Sequence, residues 1–443
     1  MARAPAPRRR PRPPRTAGRR PGHDDAHPRT RRHGPHHPLA APAAARRIDR
    51  LQADPATPRP PRTQRTLVLR HRPLGQQHDH LHPHLPARPG RGGGRVRPRR
   101  PGPGGGAARP HRAGGQQPDH DAARGPVLRV GRCPVSTEVR APLGRLRELA
   151  DGVHAFLQPP GGWCLSNAGV IAGPDGLVLI DTAATRTRAE ALRAAAEGLG
   201  HGPVRTVVNT HSHGDHVFGN CVFAPPAEVV AHELTGPEIR ATGTALQGLW
   251  PDVDWGELTL TEPTITFARS LTLLVGDRPV ELHHVGPAHS TNDVVVWLPD
   301  ARVLFAGDVA LPGCTPFCLM GSVRGSLAAL GRLRAFGART VVGGHGEVSG
   351  PEVFDQMESY LRWILGLAAE GVAAGLTPLE TARLHGPGDF GGLVDPERLV
   401  GNLHRAFLEI RRPDLALGTQ MDVPAVFDEM VQFNDGRLPT CLA

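Results

Sequence analysis

Apolar and polar positions show two kinds of pattern along residues 138–443, one typical of strands and one typical of helices. Short β-branched runs that end in polar residues, such as 177–180 and 204–210, are typical of buried strands. Ala-rich and amphipathic stretches between them, such as 187–199 and 325–336, indicate helices. The predicted strands span residues 163–171, 177–180, 204–210, 228–231, 271–275, 280–285, 294–298, 303–306 and 340–342. The predicted helices span 187–199, 232–249, 325–336, 352–375, 377–385, 395–412 and 422–434.

Strands and helices alternate through two strand-rich halves, and only helical patterns follow residue 351. This order predicts an α/β protein in which two sheets form a sandwich covered by helices, a four-layer αββα arrangement. The predicted organisation is a disordered segment over 1–134, an α/β domain over 135–350 and a helical C-terminal extension over 351–443.

Residues 1–134 have a different composition from the rest of the chain. They contain 30 Arg and 7 Asp without Lys or Glu, a net charge of +23, whereas 135–443 hold 22 basic and 35 acidic residues, a net charge of −13. Their abundance of Arg, Pro and Gly predicts disorder. The segment is therefore a disordered tail, a basic arm for nucleic acid, or a stretch that is not translated in nature.

The third interpretation is favoured. Arg, Pro, Gly and Ala are what GC-rich DNA encodes in almost any frame, and a globular pattern begins abruptly at Val135. We therefore expect the natural chain to start near Val135, and we disfavour nucleic acid as a partner.

The six cysteines are scattered, and none forms a Cys-x-x-Cys pair. We expect reduced thiols in a cytoplasmic protein. No apolar stretch approaches the ~18 residues that a membrane span needs, and the Arg-rich N-terminus lacks the apolar segment of a secretory signal. No membrane association is predicted.

Potential metal ligands are most concentrated in the hexapeptide His211-Ser212-His213-Gly214-Asp215-His216, which follows the predicted strand 204–210. It places four metal-ligating side chains on a loop at the carboxyl end of a strand, where α/β sheets hold their sites. The alternative is a polar loop that is rich in histidine.

Four further residues end apolar runs in the same way: Asp181, His289, Asp308 and His345. If these strands are neighbours in one fold, their ends converge. Zinc binds histidine nitrogen and aspartate oxygen, and a catalytic site leaves a position open for water. Two such ions about 3.5–4 Å apart would hold a nucleophile and a polarised carbonyl between them.

These residues resemble the metallo-β-lactamase superfamily. Residues 211–216 match its signature His-x-His-x-Asp-His, and the downstream His, Asp and His occur in its order. The resemblance implies one metal on His211, His213 and His289, a second on Asp215, His216 and His345, and Asp308 bridging both. It implies that Asp181 is a supporting acid. We expect two zinc ions as cofactors, with iron or manganese as alternatives, and we expect Asp215 to handle the catalytic proton as well.

His213 favours hydrolysis, because superfamily members with a diiron redox centre carry Glu at this position. Iron-dependent sulfur dioxygenases share the histidine motif, which keeps the metal open. The absence of a secretory signal disfavours an exported antibiotic-degrading enzyme, and we do not find the additional motifs of the nuclease branch.

Residues 161–169, 248–251, 315–317 and 438–443 are similar to the β-lactamase-like thioesterase/cyclases of actinobacterial aromatic polyketide pathways. That resemblance implies hydrolysis or ring closure of a thioester or ester, on a small molecule or a substrate held by a carrier protein. The alternatives are a glyoxalase II-like hydrolase of small thioesters, and a nucleic-acid-binding protein that uses the basic arm.

Several other residues match no motif, and their roles are predicted from their position and residue type alone. We expect His283 and His284 to be structural, and Asn292 and Asp293 to hydrogen-bond metal ligands. Trp163, Trp250, Trp255 and Phe317 are expected to be core residues, some of which line a pocket for a flat substrate. The C-terminal helices either cover the metal cleft or form a dimer surface.

Overall fold

The computed structural model describes residues 65–67 and 143–443, and the element bounds below refer to these residues alone. The strands are β1 (Arg65–Leu67), β2 (Arg145–Ala150), β3 (Val153–Leu157), β4 (Ala168–Gly173), β5 (Gly176–Ile180), β6 (Val204–Val208), β7 (Glu228–His232), β8 (Ile265–Phe267), β9 (Ser270–Val275), β10 (Arg278–His284), β11 (Val294–Leu298), β12 (Val303–Gly307) and β13 (Thr340–Gly343). The helices are α1 (Arg186–Glu197), α2 (Gly214–Val217), α3 (Asn220–Phe223), α4 (Thr235–Thr242), α5 (Ala245–Leu249), α6 (Val323–Ala335), α7 (Glu352–Ala374), α8 (Pro378–His385), α9 (Arg398–Arg411) and α10 (Val423–Phe433).

The strands form two sheets. One has the order β2-β3-β4-β5-β6-β7-β8, antiparallel from β2 to β5 and parallel from β5 to β8. The other has the order β1-β9-β10-β11-β12-β13, in which β1 is parallel to β9 and β12 is parallel to β13. The chain therefore runs through one sheet and then through most of the other.

Apolar side chains fill the space between the sheets. Ile180 and Val208 of one sheet and Leu282 and Phe305 of the other belong to the same buried cluster. Strands β5, β11 and β12 are buried at every position, because each has one face toward this interior and the other under helices.

Helices cover the outer face of each sheet. Leu192 of α1 packs in one cluster with Leu179 and Val207, and Leu330 of α6 and Phe354 of α7 pack in another with Val341. The predicted four-layer αββα arrangement is confirmed. No helix in 143–443 has the length and apolarity to cross a membrane.

Two predicted elements are wrong in their bounds. The strand predicted for 163–171 spans only Ala168–Gly173, since Cys164 has a positive φ of 63° and its loop bends away from the sheet. The helix predicted for 232–249 is divided into α4 and α5, because Gly243 adopts φ 55° and ends α4. The strands β2, β3 and β8 were not predicted.

The C-terminal helices lie where the sequence predicts them. Contacts join α7 to α6 and α9, and α9 to α8 and α10. The disorder predicted for 1–134 lies outside the described residues, apart from Arg65–Leu67, which pair with β9. The expected start near Val135 also lies outside them.

Candidate metal centre

The structure brings all seven predicted metal ligands together. Their ligand atoms form three groups within which every atom lies within 4.8 Å of the others. The groups are His211, His213 and His289; His211, His216 and Asp308; and Asp215, His216 and His345. These groups overlap in His211 and His216, so the seven side chains form one continuous cluster.

Each ligand follows the end of a strand. His211 lies after β6, Asp308 after β12 and His345 after β13. The short helix α2 begins at Gly214, and this turn brings Asp215 and His216 back toward His211. Because β12 and β13 are parallel neighbours, Asp308 and His345 leave the same edge of the sheet.

The distances within the cluster suit shared ions. His213 Nδ1 lies 3.1 Å from His211 Nε2 and 2.8 Å from His289 Nε2. Ligand atoms bonded to one tetrahedral zinc at 2.0–2.2 Å lie roughly 3.3 Å apart. The three histidines therefore present their nitrogens at the spacing of a common metal ion.

Asp308 lies between the two halves of the cluster. Its Oδ2 is 3.4 Å from His289 Nε2 and 3.5 Å from His345 Nε2, and its Oδ1 is 3.3 Å from His216 Nε2. Asp215 Oδ2 is 3.2 Å from His345 Nε2. This placement fits the bridging position that the superfamily resemblance implies for Asp308.

Two buried atoms of the cluster, His216 Nε2 and Asp308 Oδ1, lie 3.3 Å apart, but neither makes a hydrogen bond to the other or to any other group of the described residues. Buried polar atoms are normally paired, and an ion is one of the few explanations for those that are not. The residues present therefore fit a bound metal.

The pKa shifts of the histidines in the cluster also fit a bound metal. Burial lowers the pKa of His289 to about 3, and burial together with the neighbouring histidines holds the pKa of His211 well below 6.5. These shifts favour the neutral imidazole, the form that binds metal. Burial also lowers the pKa of His216, but the carboxylates of Asp215, Asp308 and Asp181 outweigh it and raise that pKa well above 6.5. The carboxylates thus favour a positive charge at the centre of the cluster.

Four of the histidines are held at Nδ1, so that Nε2 faces the cluster. The partners are Thr210 Oγ1 for His211 at 3.1 Å, Asp181 Oδ2 for His216 at 2.9 Å, the Phe317 carbonyl for His289 at 2.6 Å and the Gly162 carbonyl for His345 at 3.1 Å. Such partners fix the tautomer and orientation of a ligating histidine. Asp181 occupies the supporting position expected from the sequence.

Glu238 on α4 is a positioning residue that the sequence analysis missed. Its carboxylate accepts hydrogen bonds from Ser212 Oγ at 2.7 Å, from Asn292 Nδ2 at 2.5 Å and from Thr291 Oγ1. It thereby joins the 211–216 loop to the loop after His289. No local motif marks this glutamate, because its partners lie 26 to 54 residues away.

The expectation that Asn292 and Asp293 bond metal-ligand side chains is wrong. Asn292 contacts Ser212 and Glu238, while Asp293 accepts from the backbone N–H groups of Ala288 and Ser290. They hold the loop backbone on either side of His289. His284 stacks on His232 and lies outside the metal groups, as expected.

An aromatic cluster adjoins His289. Trp163 lies 5.5 Å from Trp250 and 5.3 Å from Phe317 between ring centroids, and Phe427 of α10 packs against both tryptophans. The Phe317 ring is 6.4 Å from the His289 ring. Trp250, Trp255 and Phe317 are therefore core residues, Trp163 is partly buried against that core, and the Phe317 ring borders the predicted ligand His289.

The family model described as "Metallo-beta-lactamase superfamily" matches residues 161–345, a range that contains all seven ligand candidates. Residues 161–345 belong to the metallo-β-lactamase superfamily. The matched range ends at His345, and the helices from α7 onward lie beyond it.

The chain is similar to several known proteins. It is 28% identical over 256 residues to the linear primary-alkylsulfatase of a Pseudomonas species, covering 48% of each protein. It is 31% identical over 173 residues to the hydroxyacylglutathione hydrolase of Methylococcus capsulatus, covering 38% of this chain and 57% of that protein. The matches span about half the length of these relatives. Among solved structures, a metallo-β-lactamase from Pontibacter korlensis is 23% identical with a TM-score of 0.43, covering 49% of this chain and 99% of that one.

Proposed function

We propose that the superfamily domain is a metal-dependent hydrolase that cleaves a thioester or ester bond. The observation that carries the proposal is the convergence of five histidines and two aspartates with His216 Nε2 and Asp308 Oδ1 left unpaired. The names of the similar alkylsulfatase and hydroxyacylglutathione hydrolase add support, since both describe hydrolysis.

The proposed cofactors are two zinc ions, with iron or manganese as alternatives. His211, His213 and His289 would hold one ion, Asp215, His216 and His345 the other, and Asp308 both. When bound, such ions lower the pKa of water to near ~7 and polarise the carbonyl of the substrate.

The protein's own contribution is orientation and proton handling. Asp181 and the Phe317 carbonyl hold Nδ1 of His216 and His289, so their Nε2 lone pairs stay directed into the cluster. We assign to Asp215 the proton that the attacking water loses. Its side chain is 13% exposed, against 6% for Asp308, so a proton on Asp215 has the shorter route to solvent.

For the substrate, we propose an aromatic acyl group, such as a polyketide held as a thioester on a carrier protein. Support comes from the aromatic cluster of Trp163, Trp250 and Phe317, in which Trp163 is partly exposed and the Phe317 ring lies 6.4 Å from the His289 ring. Ring closure of the same substrate would pass through an enolate, whose charge the same site could stabilise. The nucleic-acid alternative stays a prediction that concerns residues 1–134.

A second candidate is hydrolysis of small hydroxyacyl thioesters. The 31% identity to the hydroxyacylglutathione hydrolase favours it. The two candidates differ in the size and polarity of the acyl and thiol groups, and therefore in the substrate that is turned over fastest.

The test combines metal analysis with a substrate panel. The purified full chain is expected to contain up to two metal ions, and to hydrolyse an aromatic acyl thioester of N-acetylcysteamine faster than a hydroxyacyl-glutathione or a primary alkyl sulfate. His211→Ala should lose metal and at least about 100-fold in kcat/KM, whereas His201→Ala, at an exposed loop position, should not. A wild-type protein without metal, or a fully active His211→Ala, would refute the proposal. Faster turnover of hydroxyacyl-glutathione would select the second candidate.

A further inference from the structure

Helix α9, beyond the superfamily domain, carries a row of buried polar side chains. They are Arg398, Asn402, Arg405 and Glu409, and none is more than 6% exposed. Their spacing of four, three and four residues places them on one face of the helix. Buried polar groups need partners, and each of these four side chains has at least one partner in a single segment of the superfamily domain.

The partners are backbone groups of residues 315–324. The contacts run in the same order along both elements: Arg398 to Thr315, Asn402 to Pro316 and Cys318, Arg405 to Leu319, and Glu409 to Val323 and Arg324. Their distances lie between 2.5 and 3.1 Å. The helix thus fixes the course of a segment that has no regular secondary structure before α6.

Asn402 holds the residues on both sides of Phe317. Its Oδ1 accepts from the Cys318 N–H at 2.8 Å, and its Nδ2 donates to the Pro316 carbonyl at 2.7 Å. Its neighbour Gly401 leaves room for the Phe317 ring, because a β-carbon there would lie 2.7 Å from the ring. The backbone and the ring of Phe317 are therefore both set by α9.

The Phe317 carbonyl accepts the hydrogen bond from His289 Nδ1 at 2.6 Å. We propose that Asn402 is a positioning residue for His289: through the Phe317 carbonyl it holds the imidazole as the Nδ1–H tautomer, with Nε2 directed to the metal. The inference rests on the proposed function, in which His289 is a metal ligand. It gives the C-terminal extension a direct role in the metal centre.

The test compares metal binding by the full-length wild type, Asn402→Ala and Leu403→Ala. Leu403 is fully buried on the same helix, and no side-chain hydrogen bond ties it to 315–324, so it controls for loss of packing. Titration of the metal-free proteins with cobalt(II), followed by the visible absorption spectrum, and zinc competition with a chromophoric chelator report both sites.

Asn402→Ala is expected to weaken the site of His211, His213 and His289 by about tenfold or more, with the second site unchanged. Leu403→Ala should bind both ions as the wild type does. Equal affinities in wild type and Asn402→Ala would overturn the inference. A wild type that binds no metal would instead refute the proposed function.

A second variant and a second measurement cover the case in which Asn402→Ala does not fold. Asn402→Asp keeps the acceptor for Cys318 but replaces the donor to Pro316 by a carboxylate oxygen that repels its carbonyl, so we expect it also to weaken the site of His211, His213 and His289. In the metal-free wild type, ¹⁵N NMR of labelled histidines, assigned with His289→Gln, should show His289 protonated at Nδ1. Protonation of His289 at Nε2 alone would overturn the inference without any variant.

Discussion

Asp181 Oδ2 lies 2.9 Å from His216 Nδ1, and both side chains are almost fully buried. The same carboxylate accepts hydrogen bonds from the Thr210 N–H at 2.7 Å and the Thr210 hydroxyl at 2.6 Å. One aspartate therefore joins the ends of β5 and β6 and orients a predicted ligand.

Asp181→Asn should weaken metal binding at Asp215, His216 and His345 by about 10- to 100-fold, because the amide lacks the charge that holds His216 Nδ1. Chelator competition measures the change. Asp175→Asn, at the exposed turn before β5, is the matched control. Unchanged affinity in Asp181→Asn would show that the carboxylate does not orient His216.

Glu238→Ala should weaken the site of His211, His213 and His289, since it removes the common acceptor for Ser212, Thr291 and Asn292. We expect an affinity loss of about tenfold. Glu238→Gln keeps one acceptor oxygen for these hydrogen bonds and should therefore lose less metal affinity. Zinc titration of both variants, with the exposed Glu233→Ala as control, checks the prediction; an equal loss in Glu233→Ala would contradict it.

Removal of metal should lower the thermal stability of the protein. The two carboxylates and five histidines come together only in the folded chain, so an ion bound to them stabilises the folded state. An ion that binds only this state stabilises it by about 2.7 kcal/mol at a free concentration 100 times its Kd. Calorimetry with and without a chelator should show a lower Tm, restored by added zinc. A chelator-insensitive Tm in a metal-loaded sample would argue against the site.

The stability of the fold should decrease as the pH falls below 6.5. His232 and His284 stack with ring centroids 3.8 Å apart. Burial lowers the pKa of both, and for His284 the proximity of His232 lowers it further. Because the folded state favours the neutral rings, protons bind the unfolded chain more strongly, and stability is lost below the unfolded pKa of about 6.5.

His284→Phe keeps a stacked ring and removes one titrating group. Urea denaturation at pH 7.5 and 5.5 should therefore show a smaller loss of stability in His284→Phe than in the wild type. His201→Gln is the exposed control and should behave like the wild type. Identical pH dependence in wild type and His284→Phe would rule out this pair as the cause.

The local pattern of the sequence determined most of the elements and the seven residues that converge. Buried strands and amphipathic helices differ in period, and polar residues at strand ends such as Asp308 and His345 meet because parallel strands end at one edge. The four-layer arrangement follows from the order of strands and helices along the chain. The metal-binding role of these residues stays a prediction.

Only the tertiary structure decided what holds the ligands in place. Glu238 lies 54 residues from Asn292, and Asn402 lies 84 residues from Cys318. Neither pair leaves a local signal, since such contacts depend on how a helix packs against a loop. The same holds for Cys164, whose left-handed backbone keeps the predicted strand from beginning at residue 163. Periodicity reports which face of an element is buried, whereas its partner is chosen by packing across the whole chain.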